Sequence, residues 1–215
     1  MPERLNICCV FDHVPRDRRM VVLKLFAAEP SWMGWPSKFM VLNIETEAVS
    51  EGNWPIPDHL AQKVLDHDIL FVYSDWATGP FRFRSCISLS ESNGRAVYTL
   101  SFPASLLQQN MTVDAERQFF HIHEIAASIG KCSTLIGPEL ELDTALSAKQ
   151  AITSSLDPSS LATWIISPEE FLPSNVQPFD IVKIDKTAVL LRHPAAAQRV
   201  GLSMVASENN GSDRR

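Results

Sequence analysis

The chain has 215 residues, 45% of them hydrophobic and 20% charged, which excludes disordered and fibrous classes and suffices for a core that needs neither disulfides nor a structural metal. Its 19 basic and 25 acidic residues leave a net charge of −6, the wrong sign for a protein that must neutralise nucleic-acid phosphates and suited instead to a basic protein surface. Residues 1–19 lack the features of a secretory signal, and no apolar run reaches the ~20 residues of a membrane span. The sequence therefore predicts a single domain over residues 1–206 with a disordered polar tail at 207–215, placed in the cytoplasm, with no direct nucleic-acid or membrane partner.

Residues 5–11 alternate, with Leu5, Ile7, Cys9 and Phe11 on one side, and predict a half-buried strand. Adjacent Cys8 and Cys9 point to opposite faces of that strand, and none of the 4 cysteines has C-x-x-C spacing, so they read as buried reduced thiols. After a basic loop at Arg16, Arg18 and Arg19, the apolar residues 20–28 predict a short buried helix or strand. Trp32, Gly34, Trp35 and Pro36 predict an aromatic turn, and residues 39–45 a second strand. Pro55 and Pro57 mark a loop, after which Asp58 is a suitable cap for a helix that buries Leu60, Ala61, Val64 and Leu65. A buried strand follows at residues 69–73.

The clearest element is a hairpin over residues 81–102. Asn93-Gly94 is the favoured type I′ turn pair, because both turn positions need positive φ. A two-residue turn there sets Ser92 opposite Arg95, Ser90 opposite Val97, Leu89 opposite Tyr98, Ser88 opposite Thr99 and Ile87 opposite Leu100. In that register the apolar residues share one face and the serines and arginines the other. The pattern predicts an α+β fold, a mainly antiparallel sheet with helices packed on one face.

Residues 112–131 predict the main helix, with Phe119, Ile122, Ala126 and Ile129 inward, His121 and Glu124 on the polar face and Gly130 as its stop. A second helix is predicted over residues 144–154, a short buried strand at Trp164-Ile165-Ile166, and a second hairpin from residues 181–184 and 188–191.

Catalytic signatures are sparse. There is no G-x-S-x-G, Walker loop, Rossmann glycine pattern or H-E-x-x-H. His121, His123 and Glu124 have metal-ligand chemistry, but on a helix positions two apart diverge by about 200°, whereas zinc-binding helices use i and i+4. No cofactor or metal is expected. Two features suit a protein partner. Trp76, beside Asp75, is placed in a connection between strands where an aromatic side chain can anchor an interface. Glu139 and Glu141 alternate with Asp143, so in extended chain their carboxylates line one face and offer an acidic edge to a basic partner.

The serine-rich hairpin FRFRSCISLSESNGRAVYTLSFP, the GPELEL run from Gly137 to Leu142 and ATWIISPEEFLP from Ala162 to Pro173 together resemble the immunity proteins encoded beside bacterial polymorphic toxins. In particular they resemble the family paired with restriction-endonuclease-like nuclease toxins, over most of residues 4–192. The resemblance implies a non-catalytic α+β protein that binds and blocks a cognate toxin, of the kind that a type VI secretion system delivers. It supplies no invariant motif, so Asp75, Trp76, Glu139 and Glu141 stand as contact residues on physical grounds alone. A small metal-dependent hydrolase built on His121, His123 and Glu124, and a structural component of a phage or secretion assembly, are the competing expectations.

Overall fold

A computed structural model describes residues 4–14, 18, 21, 36–43, 46–55, 57, 68–78, 81–92, 95–104, 115–142, 146–157, 159–184 and 188–199. In chain order these form β1 (Arg4–Phe11), β2 (Pro36–Asn43), β3 (Val49–Asn53), β4 (Asp68–Thr78), β5 (Phe81–Ser92), β6 (Arg95–Pro103) and α1 (Ala115–Ala127). There follow β7 (Cys132–Pro138), α2 (Ala148–Ser155), β8 (Trp164–Ser167), a 3-10 turn at Glu169–Phe171, β9 (Asp180–Ile184), β10 (Val189–Arg192) and the short α3 (Ala196–Arg199). The ten strands make one sheet in the order β3-β2-β4-β5-β6-β1-β7-β8-β10-β9. Every neighbouring pair is antiparallel, so the α+β class with a mainly antiparallel sheet is as the sequence predicts.

The β5–β6 register matches the one counted from Asn93-Gly94, pairing Ser92 with Arg95, Ser90 with Val97 and Ile87 with Leu100. The turn residues themselves lie outside the described residues. So do most of the 20–28 segment, the aromatic turn apart from Pro36, the helix predicted after Asp58, and the tail. Pro36 belongs to β2, not to a turn.

β1 departs from its half-buried reading. Leu5, Ile7, Cys9 and Phe11 join one core cluster with Tyr98, Leu100, Phe102, Ile136, Trp164, Ile166 and the inner side of α1. Cys8 and Val10 join a second cluster with Val97, Leu135, Ile165, Leu191 and α2. The strand is central, paired with β6 on one side and β7 on the other, and is buried on both faces. α1 covers the first face through Phe119, Phe120, Ile122 and Ala126. α2 adds a smaller layer on the opposite face through Ala148, Ala151 and Ile152.

α2 begins where its sequence says it should. Ser147 is its N-cap and forms a reciprocal capping box with Gln150, satisfying two amide donors that the first helical turn leaves open. A third, Ala148 N–H, donates to the Asp12 carboxylate at 2.7 Å, which ties α2 to the end of β1. The sheet leaves no helix among the described residues long and apolar enough to cross a membrane.

Candidate functional site

The acidic edge takes its shape from the exit of β7. Gly137 is needed there: a Cβ on it would sit 2.1 Å from the Leu161 carbonyl oxygen, so the chain entering β8 passes directly over β7. Thr163 N–H donates to the Ile136 carbonyl at 2.7 Å and fixes that crossing. Beyond Pro138 the backbone turns through Glu139, whose φ of 48° breaks the simple alternation expected of Glu139 and Glu141.

Glu139 is held at both ends. Its amide donates to the Arg4 carbonyl at 3.1 Å, and its carboxylate accepts the Arg4 amide at 2.9 Å. This reciprocal pair caps the first residue of β1. Leu140 is buried on the α2 side, and its carbonyl accepts from Asn6 Nδ2 at 2.9 Å. The other Asn6 side-chain atom, Oδ1, is buried without a hydrogen-bond partner among the described residues. Glu141 projects into solvent.

Between this turn and the end of α2 runs an open groove of about 420 Å3. It is lined by Glu139, Glu141, Leu142 and Leu146, by a serine wall of Ser154, Ser159 and Ser160, and by Leu161. Leu161 is 49% exposed, although it is held in place by the crossing over Gly137. Asp157 shapes the serine wall by accepting from both the hydroxyl and the amide of Ser159, at 2.5 and 2.8 Å. Those two hydrogen bonds, the hydroxyl's first, hold its carboxyl below the usual value, so the turn stays anionic. Chemically the groove combines, among the described residues, exposed carboxylates, hydroxyls and a fixed aliphatic side chain.

Asp75 and Trp76 are not in a connection. Both belong to β4, where Asp75 lies opposite Arg84 and Trp76 opposite Phe83 of β5. Four strand steps separate β4 from β7, roughly 19 Å at the usual spacing, so neither adjoins the groove. Asp143 lies outside the described residues.

The histidine constellation also separates. α1 is a helix throughout residues 119–125, and His123 is 1% exposed, with Nδ1 3.0 Å from Thr134 Oγ1 and 3.9 Å from Cys132 Sγ. The covering of α1 by β7 puts His123 inside. His121 faces solvent, 3.9 Å from Glu124, in a cleft of about 670 Å3. The two imidazoles therefore point away from each other, and no group of three metal-ligating side chains converges among the described residues. Near that cleft Glu116 accepts from Trp164 Nε1 at 2.9 Å and Arg192 Nη1 at 3.1 Å, which fastens α1 across β8 and β10.

Cys8, Cys9 and Cys132 are free and buried. Burial pushes the first two thiols up to about 12 and the third well above its ordinary value, the opposite of what a nucleophilic or metal-binding cysteine requires. The sequence reading missed the serine wall and Leu161. Leu161 carries no local signal, since its position depends on a long-range crossing.

Compared with known protein families, with curated proteins and with solved structures, the chain matches none of them.

Proposed function

We propose that the chain is a non-catalytic immunity protein that binds a cognate toxin, a nuclease, and neutralises it in the cytoplasm. The observation that carries this reading is the groove beside Glu139 and Glu141, an open surface lined by their carboxylates and by the half-exposed Leu161. A basic segment of a partner suits that chemistry. Its guanidinium or ammonium groups meet the carboxylates while its aliphatic stems lie along Leu142 and Leu161. The net charge of −6 favours fast association with a basic nuclease surface. The resemblance of the serine-rich hairpin and of the GPELEL and ATWIISPEEFLP runs to toxin immunity proteins points the same way, and the GPELEL run lines part of the groove. Inhibition would be steric, with no covalent step.

The metal-dependent hydrolase loses its basis, because its two histidines diverge on α1. The test is a nuclease assay of the toxin encoded by the adjacent gene, with this protein added in increasing ratio. Full inhibition at a fixed molar ratio is expected, and Leu161→Asp should raise the concentration needed by at least about tenfold. Undiminished nuclease activity at excess protein would overturn the proposal.

A further inference from the structure

A cleft of about 670 Å3 runs along one flank of α1, within the ~300–1,000 Å3 usual for small-molecule sites. Residues four apart on a helix stand one above the other, so Glu116, Phe120 and Glu124 line it as one row, and Arg117 and His121 as the next. Leu190 of β10 lines it from the sheet. Phe120 and Leu190 are 3% and 2% exposed, whereas Arg117, His121 and Glu124 are open to solvent. The cleft thus has a packed apolar base and a charged rim.

Both carboxylates that line it are engaged. Glu116 accepts from Trp164 Nε1 at 2.9 Å and from Arg192 Nη1 at 3.1 Å, and Glu124 Oε2 lies 3.9 Å from His121 Nδ1. Arg117 has no hydrogen-bond or ion-pair partner among the described residues, so its guanidinium is the uncompensated charge on the rim. A guanidinium offers a planar fork of donors that matches a carboxylate, and the His121 ring stands one helical turn away on the same row. We propose that the cleft binds a small organic anion, its carboxylate paired with Arg117 and its apolar body lying toward Phe120 and Leu190. Leu190 belongs to the core cluster under α1, and Leu140 beside the Glu139 groove to the cluster under α2. Cleft and groove therefore lie on opposite faces of the sheet, and the inference is independent of the toxin-binding reading.

Amide-shift titration of the isotope-labelled full chain with naphthoate, and with naphthylmethylamine as its cationic counterpart, tests it. Naphthoate should saturate with a Kd of about 1 mM or tighter, shifting amides of α1 and β10, while the amine binds at least about tenfold more weakly. Arg117→Glu, a change on the exposed side of a helix, should leave the spectrum folded, weaken naphthoate by at least about tenfold and reverse the preference between the two probes. Shifts that do not saturate, shifts centred away from α1 and β10, equal binding of acid and amine, or an Arg117→Glu variant that binds naphthoate like the wild type would each overturn the proposal.

Discussion

Gly137 is the residue on which the groove turns. Its missing side chain lets the Leu161 backbone cross β7 at a distance that no Cβ tolerates, and backbone on both sides leaves no flexible atom to yield. Gly137→Ala should therefore destabilise the fold by about 2 kcal/mol or more, read as a lower urea midpoint, and should weaken partner binding by moving Leu161. The buried thiols give a second prediction at this scale. Cys8 and Cys9 have folded values of about 12 against 9.0 when unfolded. Above pH 9 the unfolded chain releases protons that the folded chain keeps, so the stability these groups contribute is present below pH 9 and is lost as pH rises toward 12. The slope approaches about 1.4 kcal/mol per pH unit for each thiol. Urea titrations between pH 8 and 11 on the wild type and Cys8→Ser/Cys9→Ser check it, the variant showing the shallower decline. The same thiols should stay unmodified by a water-soluble disulfide reagent until the chain unfolds.

Among elements, α2 offers the cleanest test of local rules. Its capping box on Ser147 and Gln150 makes Ser147→Ala cost about 1 kcal/mol, measurable by thermal or urea unfolding, while Gln150→Glu should be nearly neutral because a carboxylate can make the same return bond. How far each element could be read from sequence follows from where its determinants lie. The β5–β6 register was legible because Asn93-Gly94 fixes it locally, and β8 and the β9–β10 hairpin because short apolar runs sit between prolines and polar turns. β3 was not legible: Ser50, Glu51 and Gly52 have poor strand propensity, and the strand forms because Phe39 of β2 packs over Gly52, where a Cβ would lie 2.6 Å from its ring. β7 was missed although Cys132-Ser133-Thr134-Leu135-Ile136, between Gly130 and Pro138, is a short run suited to a strand buried on both faces. Its seven residues are all buried, so they show no alternation to detect.

At the scale of the molecule, a ten-stranded sheet brings residues far apart in sequence to one place, and the groove is a product of that assembly. Glu139 and Glu141 are close in sequence, but the extended alternation expected of them is broken by the positive φ of Glu139, which no local spacing signals. Leu161 and Ser159 gave no signal of their place beside them, because they reach the groove only through the crossing over Gly137. Asp75 and Trp76 were misplaced for a related reason. β4 continues to Thr78, past the apolar run that signals it, since β5 supplies partners for Ser74, Asp75 and Ala77, which have little strand propensity of their own. The central claim is that this groove receives a basic partner. Calorimetric and stopped-flow titration of the adjacent gene's product against the wild type, Glu141→Lys and Leu161→Asp tests that most directly. The account predicts one saturating complex, association that slows with added salt and by about tenfold in Glu141→Lys, and faster dissociation in Leu161→Asp. Binding that both variants leave unchanged, or no binding by the folded wild type, would contradict it.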